Sequence, residues 1–186
     1  MFPILLDLKA LHVVLVGEGE AADRKLALLD AAGASQVDVY SANPSQSLRQ
    51  RAGARLKGAR PGNEAWQGVR LLLTTGLGEA ETRPLVEHAR ALGVLVNAED
   101  IKSLCDFYLP SVLRRGELTL SVSTGGRAPG LARRLRRHIE GLFGPEWSDR
   151  LDEVAARREA WRAEGLDSPE VGRRLEAYIE EKGWLA

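Results

Sequence analysis

The fold of this chain is decided by residues 13–25, which read VVLVGEGEAADRK. The first four residues are apolar and mostly β-branched, so they predict a buried β-strand. The pattern Gly17-x-Gly19-x-x-Ala22 follows, and from there the chain is predicted to be helical. In a strand–loop–helix context this pattern predicts a dinucleotide-binding loop, in which the backbone approaches a pyrophosphate closely. The alternative interpretation is an ordinary glycine-rich turn.

Composition limits the classes of protein that need to be considered. The chain has 186 residues, enough for one medium-sized domain and an appendage. It carries 26 basic and 26 acidic residues, so no net charge favours a nucleic acid or an acidic membrane as partner. A single cysteine, Cys105, excludes an internal disulfide. We therefore expect a cytoplasmic enzyme without signal peptide, membrane span or metal-ligand cluster.

Strand and helix patterns alternate from about residue 13 to residue 97. Strands are predicted at residues 13–16, 37–40, 69–75 and 94–97, with helices at 20–32 and 79–92. This alternation predicts an α/β fold with a Rossmann-like, doubly wound parallel sheet. We assign residues 1–111 to this NAD-binding domain.

The end of the second predicted strand bears on the choice of cofactor. The loop after that strand meets the adenosine ribose in this architecture, and an acidic residue there would bind the ribose hydroxyls. Asp38 lies inside the strand instead, and Ser41 and Asn43 are the polar substitutes. The choice between NAD and NADP therefore stays open. Three nearby arginines would suit NADP, although a solvated surface is the simpler interpretation: Arg49, Arg51 and Arg55.

The pattern changes after Asn97. Residues 118–123 alternate like a strand, a polar glycine loop follows at 124–129, and a helix is predicted to about residue 143. A two-stranded hairpin is marginal in water, so we expect this strand to pair with a second copy of the chain. We therefore interpret residues 112–145 as a small α+β dimerisation and substrate region. Residues 146–186 are charged and are predicted to form a helical C-terminal domain.

Several motifs together resemble a known family. The chain opens with Phe2-Pro3-Ile4, its nucleotide loop ends in Arg24-Lys25, and residues 105–110 read CDFYLP. Residues 123–133 read STGGRAPGLAR. These motifs resemble the precorrin-2 dehydrogenase and sirohydrochlorin ferrochelatase family, the N-terminal module of siroheme synthases. The resemblance covers nearly the whole chain up to about residue 143, whereas the tail matches only in being helical.

The resemblance implies NAD-dependent oxidation of precorrin-2 to sirohydrochlorin by a homodimer. In many members ferrous iron is also a substrate and is inserted to give siroheme. Carried over by position, the cofactor-binding residues are Gly17, Gly19, Glu20, Ala21, Ala42 and Asn43, and the substrate-binding residues are Asn97, Ser123, Thr124, Gly125 and Gly126. A tetrapyrrole with many carboxylates also needs cations, and Arg127 inside the glycine loop is the expected contact.

Two positions depart from the family pattern. Leu77 stands where members usually carry an aspartate implicated in activity, and Glu79 is the nearest carboxylate. Glu79 is therefore the candidate catalytic base, with the opening of the next helix as its alternative role. Glu18 interrupts the family's usual triple glycine. The alternative function is a non-enzymatic member that binds a nucleotide or a tetrapyrrole as carrier or sensor. A generic short-chain redox domain is a third interpretation.

Overall fold

The computed structural model describes residues 2–185. These residues form two compact units, and the boundary between them lies between Leu109 and Pro110. The first unit contains a parallel sheet and its helices, and the second contains a β-hairpin followed by three helices. No helix in the described part of the chain combines the length and the apolar character that crossing a membrane requires.

The first unit is built on a five-stranded parallel sheet. Its strands are β1 (His12–Gly17), β2 (Gln36–Tyr40), β3 (Leu56–Gly58), β4 (Val69–Thr75) and β5 (Leu95–Ala98). Their order in the sheet is β3-β2-β1-β4-β5. The chain therefore runs outward from β1 on one side and then crosses back to β4 on the other. This reversal makes the carboxyl ends of β1 and β4 the topological switch point, where doubly wound sheets bind their ligands.

Helices cover both faces of this sheet. They are α1 (Gly19–Ala31), α2 (Gln46–Ala52) and α3 (Glu79–Ala91). Successive side chains of a strand point to opposite faces, and Val13 accordingly packs in the cluster that contains Leu26 of α1. Val14 packs in the other cluster, with Val86 of α3. Burying each such side chain contributes roughly 1.5–3 kcal/mol, which explains the unbroken apolar run at residues 13–16 of β1. The predicted α/β class and doubly wound sheet are confirmed.

The second unit starts with an antiparallel hairpin. Strand β6 (Ser111–Arg115) pairs with β7 (Leu118–Val122), so that Ser111 faces Val122 and Arg115 faces Leu118. Three helices follow: α4 (Pro129–Leu142), α5 (Trp147–Ala163) and α6 (Ser168–Lys182). Leu113 of the hairpin and Ala132 of α4 are buried. The expected small α+β region and helical C-terminal part are therefore present.

The hairpin, α4 and α5 are joined by specific contacts. The Arg115 Nε donates a hydrogen bond to the Phe143 carbonyl oxygen at 2.9 Å. The Phe143 ring lies 4.8 Å from the Trp147 ring, measured between centroids, and the hairpin turn at Gly116 lies against Ser148. Residues 110–185 thus form one compact unit. The division of roles between residues 112–145 and residues 146–186 stays a prediction.

Candidate functional site

The two glycines of the nucleotide loop have different structural duties. A Cβ atom on Gly17 would lie 2.7 Å from the Thr75 carbonyl oxygen, so a side chain there would force β1 and β4 apart. Gly19 has a φ of +60°, a conformation that side chains disfavour. Apart from its chain neighbours and the backbone of its own helix, no atom of residues 2–185 lies within 4 Å of the position its Cβ would take. Gly17 therefore allows β1 and β4 to lie close together at their carboxyl ends, and Gly19 leaves open space in front of the loop. This space, beside the first N–H groups of α1, is where we expect the pyrophosphate of a dinucleotide.

The other predicted cofactor residues lie on two sides of this loop. Glu20 and Ala21 are in the first turn of α1, where Glu20 pairs with Arg24 at 3.4 Å. Ala42 and Asn43 follow β2. The backbone N–H groups of Ala42 and Asn43 donate to the two carboxylate oxygens of Glu18, at 2.8 and 2.9 Å. The structure thus connects the two segments through the side chain of Glu18, which stands between the two glycines of the loop.

The Glu18 carboxylate has two further donors. The Ser41 hydroxyl donates to it at 2.8 Å, and the Arg60 Nη1 lies 3.4 Å from its Oε1 atom. Partial burial raises the pKa of Glu18, but the hydrogen bonds from Ala42, Asn43, Ser41 and Arg60 outweigh this effect and lower the pKa below its ordinary value. Glu18 is therefore an anion at neutral pH, held within the loop that follows β2.

Two of the three arginines that kept NADP open in the sequence, Arg51 and Arg55, pair with carboxylates of α1. The Arg51 Nε lies 2.7 Å from an Asp23 carboxylate oxygen, and the Arg55 Nη1 lies 2.6 Å from an Asp30 oxygen. Arg60 is instead the cation beside the loop after β2. Arg60 lies 42 residues from Glu18 in the chain, so no local sequence pattern links the two.

The first carboxylates after β4 and β5 are Glu79, Glu99 and Asp100, and they differ in their partners. Glu79 is the first residue of α3, pairs with Arg83 and is half exposed. This supports a role in stabilising the N-terminus of that helix. Glu99 accepts a hydrogen bond from the Thr75 hydroxyl, and its Oε1 lies 3.1 Å from the Lys25 ammonium. Asp100 is exposed and makes no side-chain hydrogen bond or ion pair with residues 2–185. It is thus the carboxylate that internal contacts leave available.

Asp100 also has an uncommon backbone conformation. Its φ is 62°, and within residues 2–185 no other non-glycine residue has a positive φ. Aspartate tolerates this region better than most residues, but the conformation still has an energetic cost and is concentrated at functional sites. The sequence showed an acid at this position, but it could not show the backbone conformation.

The Glu99 contact gives a prediction on acid stability. Partial burial raises the pKa of Glu99, but the Thr75 hydroxyl and the Lys25 ammonium outweigh this effect and bring it below its ordinary 4.5. A lowered folded-state pKa stabilises the fold above pH 4.5, and the stabilisation is lost as the pH falls through the folded value. We expect Glu99→Gln to lower the melting temperature by a few degrees at pH 7, and the difference from wild type to shrink below pH 4.5 in thermal melts. A difference that stays constant with pH would contradict this assignment.

Asn97 has an internal role. Its side chain is 6% exposed, and its Nδ2 donates to the Phe107 carbonyl oxygen at 2.9 Å. The Cys105 thiol lies against the Ala98 carbonyl oxygen at 3.0 Å. Asn97 therefore holds the segment that leads from β5 towards Leu109, and a substrate contact through its side chain stays a prediction.

The glycine loop of the second unit is shaped by its own hydroxyl groups. The Gly125 N–H donates to the Ser123 hydroxyl at 3.3 Å, and the Ala128 N–H donates to the Thr124 hydroxyl at 3.2 Å. Gly126 lies between them in the turn. Arg127 is exposed, and its guanidinium has no hydrogen-bond partner within residues 2–185. The loop therefore presents a cation whose charge is available to a ligand.

Metal ligation has no comparable support in the described residues, which contain no group of three His, Cys, Asp or Glu side chains that could hold a metal ion. Taken together, the glycine loop at the switch point and the donors after β2 define a nucleotide-binding α/β protein. Residues 4–111 match the model of a family described as putative NAD(P)-binding. The chain belongs to this family, which confirms the expected class of cofactor.

Further comparisons agree with the predicted resemblance. Residues 115–142 match a model described as sirohaem biosynthesis protein central. A siroheme synthase of Nitrosococcus oceani is 35% identical over 158 residues, covering 83% of this chain and 33% of the relative. A siroheme synthase of Methylococcus capsulatus is 38% identical over 141 residues, covering 74% and 30%. The resemblance to the siroheme-synthase family is confirmed, and the chain spans about a third of the length of these relatives.

A solved structure shares the fold. The structure titled SirC, precorrin-2 dehydrogenase, matches with a TM-score of 0.77 and 21% identity, covering 100% of this chain and 93% of that chain. At this identity the likeness shows the fold alone.

Proposed function

We propose that this chain binds NAD and oxidises precorrin-2 to sirohydrochlorin on the route to siroheme. One observation carries the proposal: a nucleotide loop at the switch point of an NAD(P)-binding sheet is joined, in one chain, to a segment that matches a sirohaem biosynthesis model. The names of the relatives, siroheme synthase, support the same assignment. Ferrous iron is a second proposed substrate, because siroheme synthesis requires its insertion.

The reaction needs a hydride acceptor and a proton acceptor. Oxidation of precorrin-2 removes one hydride and one proton, and NAD⁺ accepts the hydride when it is bound. The open space in front of Gly19 and the N–H groups at the start of α1 would orient the cofactor. Asp100 is the proposed proton acceptor, in place of Glu79. Its support is the free carboxylate and the strained backbone next to the end of β5.

The direct test is an assay with the full chain. Purified protein is incubated without oxygen with precorrin-2 and NAD⁺, and the absorbance of sirohydrochlorin is followed. We expect its formation to depend on both protein and NAD⁺, with a reaction lacking NAD⁺ as control. A protein that binds NAD and tetrapyrrole without forming sirohydrochlorin would instead fit the non-enzymatic alternative. The leucine at position 77 is the observation that favours that second candidate.

Arg127 is the proposed anchor for the substrate carboxylates. A charge-assisted hydrogen bond contributes roughly 1.5–3 kcal/mol, so Arg127→Ala should weaken sirohydrochlorin binding about tenfold or more. Added salt should shrink the difference from wild type. Fluorescence or absorbance titration at two salt concentrations measures both effects. Arg158→Ala, on the exposed surface of α5, removes the same charge as a matched control. Equal losses in the two variants would rule out a specific anchor.

A homodimer is the proposed assembly. Three leucines of α4 are exposed although they are apolar, at 52%, 41% and 62%: Leu131, Leu135 and Leu142. The hairpin β6–β7 is a two-stranded sheet, which is marginal on its own. A contact between two copies would cover these groups.

The dimer can be tested by light scattering at micromolar concentration. We expect about twice the chain mass of 20.3 kDa for wild type and the mass of one chain for Leu131→Asp/Leu135→Asp. The control is Leu28→Asp on α1, because Leu28 is 58% exposed and lies in the first unit. A wild-type monomer would contradict the assembly.

A further inference from the structure

We propose that Glu18 makes the nucleotide site selective for NAD over NADP. Its carboxylate occupies the group of donors that would otherwise bind a phosphate on the adenosine ribose. The inference deepens the proposed function and rests on its cofactor-binding part, because it concerns which dinucleotide the loop accepts.

The donors around Glu18 form a complete anion-binding site. Oε1 accepts from the Ala42 N–H at 2.8 Å and lies 3.4 Å from the Arg60 Nη1. Oε2 accepts from the Ser41 hydroxyl at 2.8 Å and from the Asn43 N–H at 2.9 Å. Two backbone N–H groups, a hydroxyl and a guanidinium are the donors that also bind phosphate groups in proteins. The protein thus fills this site with a carboxylate of its own.

The place of this site in the fold identifies the ligand group concerned. The loop after β2 is where a doubly wound sheet meets the adenosine ribose. NAD carries a hydroxyl at the 2′ position of that ribose, whereas NADP carries a phosphate dianion. A hydroxyl can donate to a carboxylate, but a phosphate must compete with it for the same donors and is repelled by its charge.

Glu18 therefore supplies the carboxylate that β2 lacks. Asp38 does not take this role, because it lies within β2 and its Oδ2 is 2.9 Å from the His12 Nε2. Glu18 comes instead from the loop after the neighbouring strand β1, and its carboxylate reaches the residues that follow β2. A pattern search restricted to the end of β2 misses it.

Arg60 determines what happens when the carboxylate is absent. Its Nη1 lies beside Glu18, and its Nη2 donates to the Glu81 Oε1 at 2.6 Å. Glu81 keeps the guanidinium close to the loop, so loss of Glu18 would leave a positioned cation with three neutral donors. That combination would favour a 2′-phosphate.

The experiment compares two adenosine nucleotides that differ in this one group. Adenosine 2′,5′-bisphosphate and 5′-AMP are titrated calorimetrically into wild type, Glu18→Gly, Glu18→Gln and Glu18→Gly/Arg60→Ala, and NADP⁺ and NAD⁺ are then compared in the same way. We expect wild type to prefer the nucleotides without a 2′-phosphate. Glu18→Gly should shift the preference towards the 2′-phosphate by about tenfold or more. Adding Arg60→Ala should remove most of this gain.

Two controls isolate the effect. Glu87→Gln removes one carboxylate from the exposed surface of α3, and it should leave the preference unchanged if the effect is local. Glu18→Gln keeps the side chain's size, so it should fold even if the glycine variant does not, and it should show a smaller shift in the same direction. Thermal melts confirm that each variant is folded.

The outcomes separate this inference from the proposed function. If 5′-AMP and NAD⁺ bind but neither Glu18 variant changes the preference, Glu18 is not the selective residue and the proposed function stands. A wild-type preference for NADP⁺ overturns the inference in the same way. If no nucleotide binds to any folded variant, the inference and the cofactor-binding part of the proposed function both fail.

Discussion

Replacing Gly19 with valine is expected to weaken NAD binding about a hundredfold or more, which corresponds to roughly 2.8 kcal/mol. The branched side chain would stand in the open space before the loop, where the pyrophosphate must approach. It would also disfavour the φ of +60° that this loop requires. Calorimetric titration of NAD⁺ into wild type and variant measures the loss.

A suitable control places valine at another glycine with a positive φ, so that the backbone is destabilised to a similar extent but the nucleotide loop is unchanged. Gly93 has a φ of +73°, and within the described part of the chain no atom beyond its two neighbours lies within 4 Å of the position its Cβ would take. It follows the end of α3, away from the nucleotide loop. Gly93→Val should therefore lower the melting temperature about as much as Gly19→Val does, with NAD affinity close to wild type. Equal NAD affinity for Gly19→Val and wild type would remove the loop from the binding site.

Replacing Asp100 with asparagine is expected to lower kcat for precorrin-2 oxidation by about 10²–10⁴-fold, the usual contribution of a general base. Asparagine is also enriched in the left-handed region, so the φ of 62° is retained and only the charge is lost. The NAD affinity and the melting temperature should stay near those of wild type. The measurement is the initial rate of sirohydrochlorin formation at saturating NAD⁺.

Companion variants decide between the carboxylates. Glu79→Gln tests the residue that sequence position favoured, and Leu77→Asp introduces the acid that the family resemblance leads us to expect at this position. Glu87→Gln removes an exposed carboxylate from α3 as the matched control. A large loss in Glu79→Gln alone would return the base to Glu79. A gain only in Leu77→Asp would identify a weakened member of the family. An unchanged rate in Asp100→Asn would exclude Asp100.

The sheet was predictable because its central strands are buried on both faces. Residues 13–16 of β1 must then form a continuous apolar run, which a linear sequence displays directly. Helix α2 was missed, since its seven residues include only two buried ones, Leu48 and Ala52. Its start depends on a cap, in which the Ser45 hydroxyl accepts a hydrogen bond from the Leu48 N–H at 3.1 Å.

The candidate site was predictable only where it is local. Gly17 and Gly19 could be proposed from their spacing, because both belong to one short loop. The Glu18–Arg60 pair and the Glu99–Lys25 pair join residues that are distant in the chain, so no short pattern reveals them. Glu79 was proposed as the base because it is the carboxylate nearest in sequence to Leu77. In the structure Glu79 lies at the start of α3, and its side chain pairs with Arg83 one turn further along that helix.

The contacts of the hairpin turn with α5 have a consequence for unfolding. Arg115 holds the Phe143 carbonyl, and the turn at Gly116 lies against Ser148, so the strands and the helices support one another. A two-stranded hairpin has little stability alone. The segment from Pro110 to α5 should therefore behave as one cooperative foldon, opening and closing together rather than strand by strand. A chain truncated before α5 should therefore lose the folded structure of the hairpin as well as the helices that were removed.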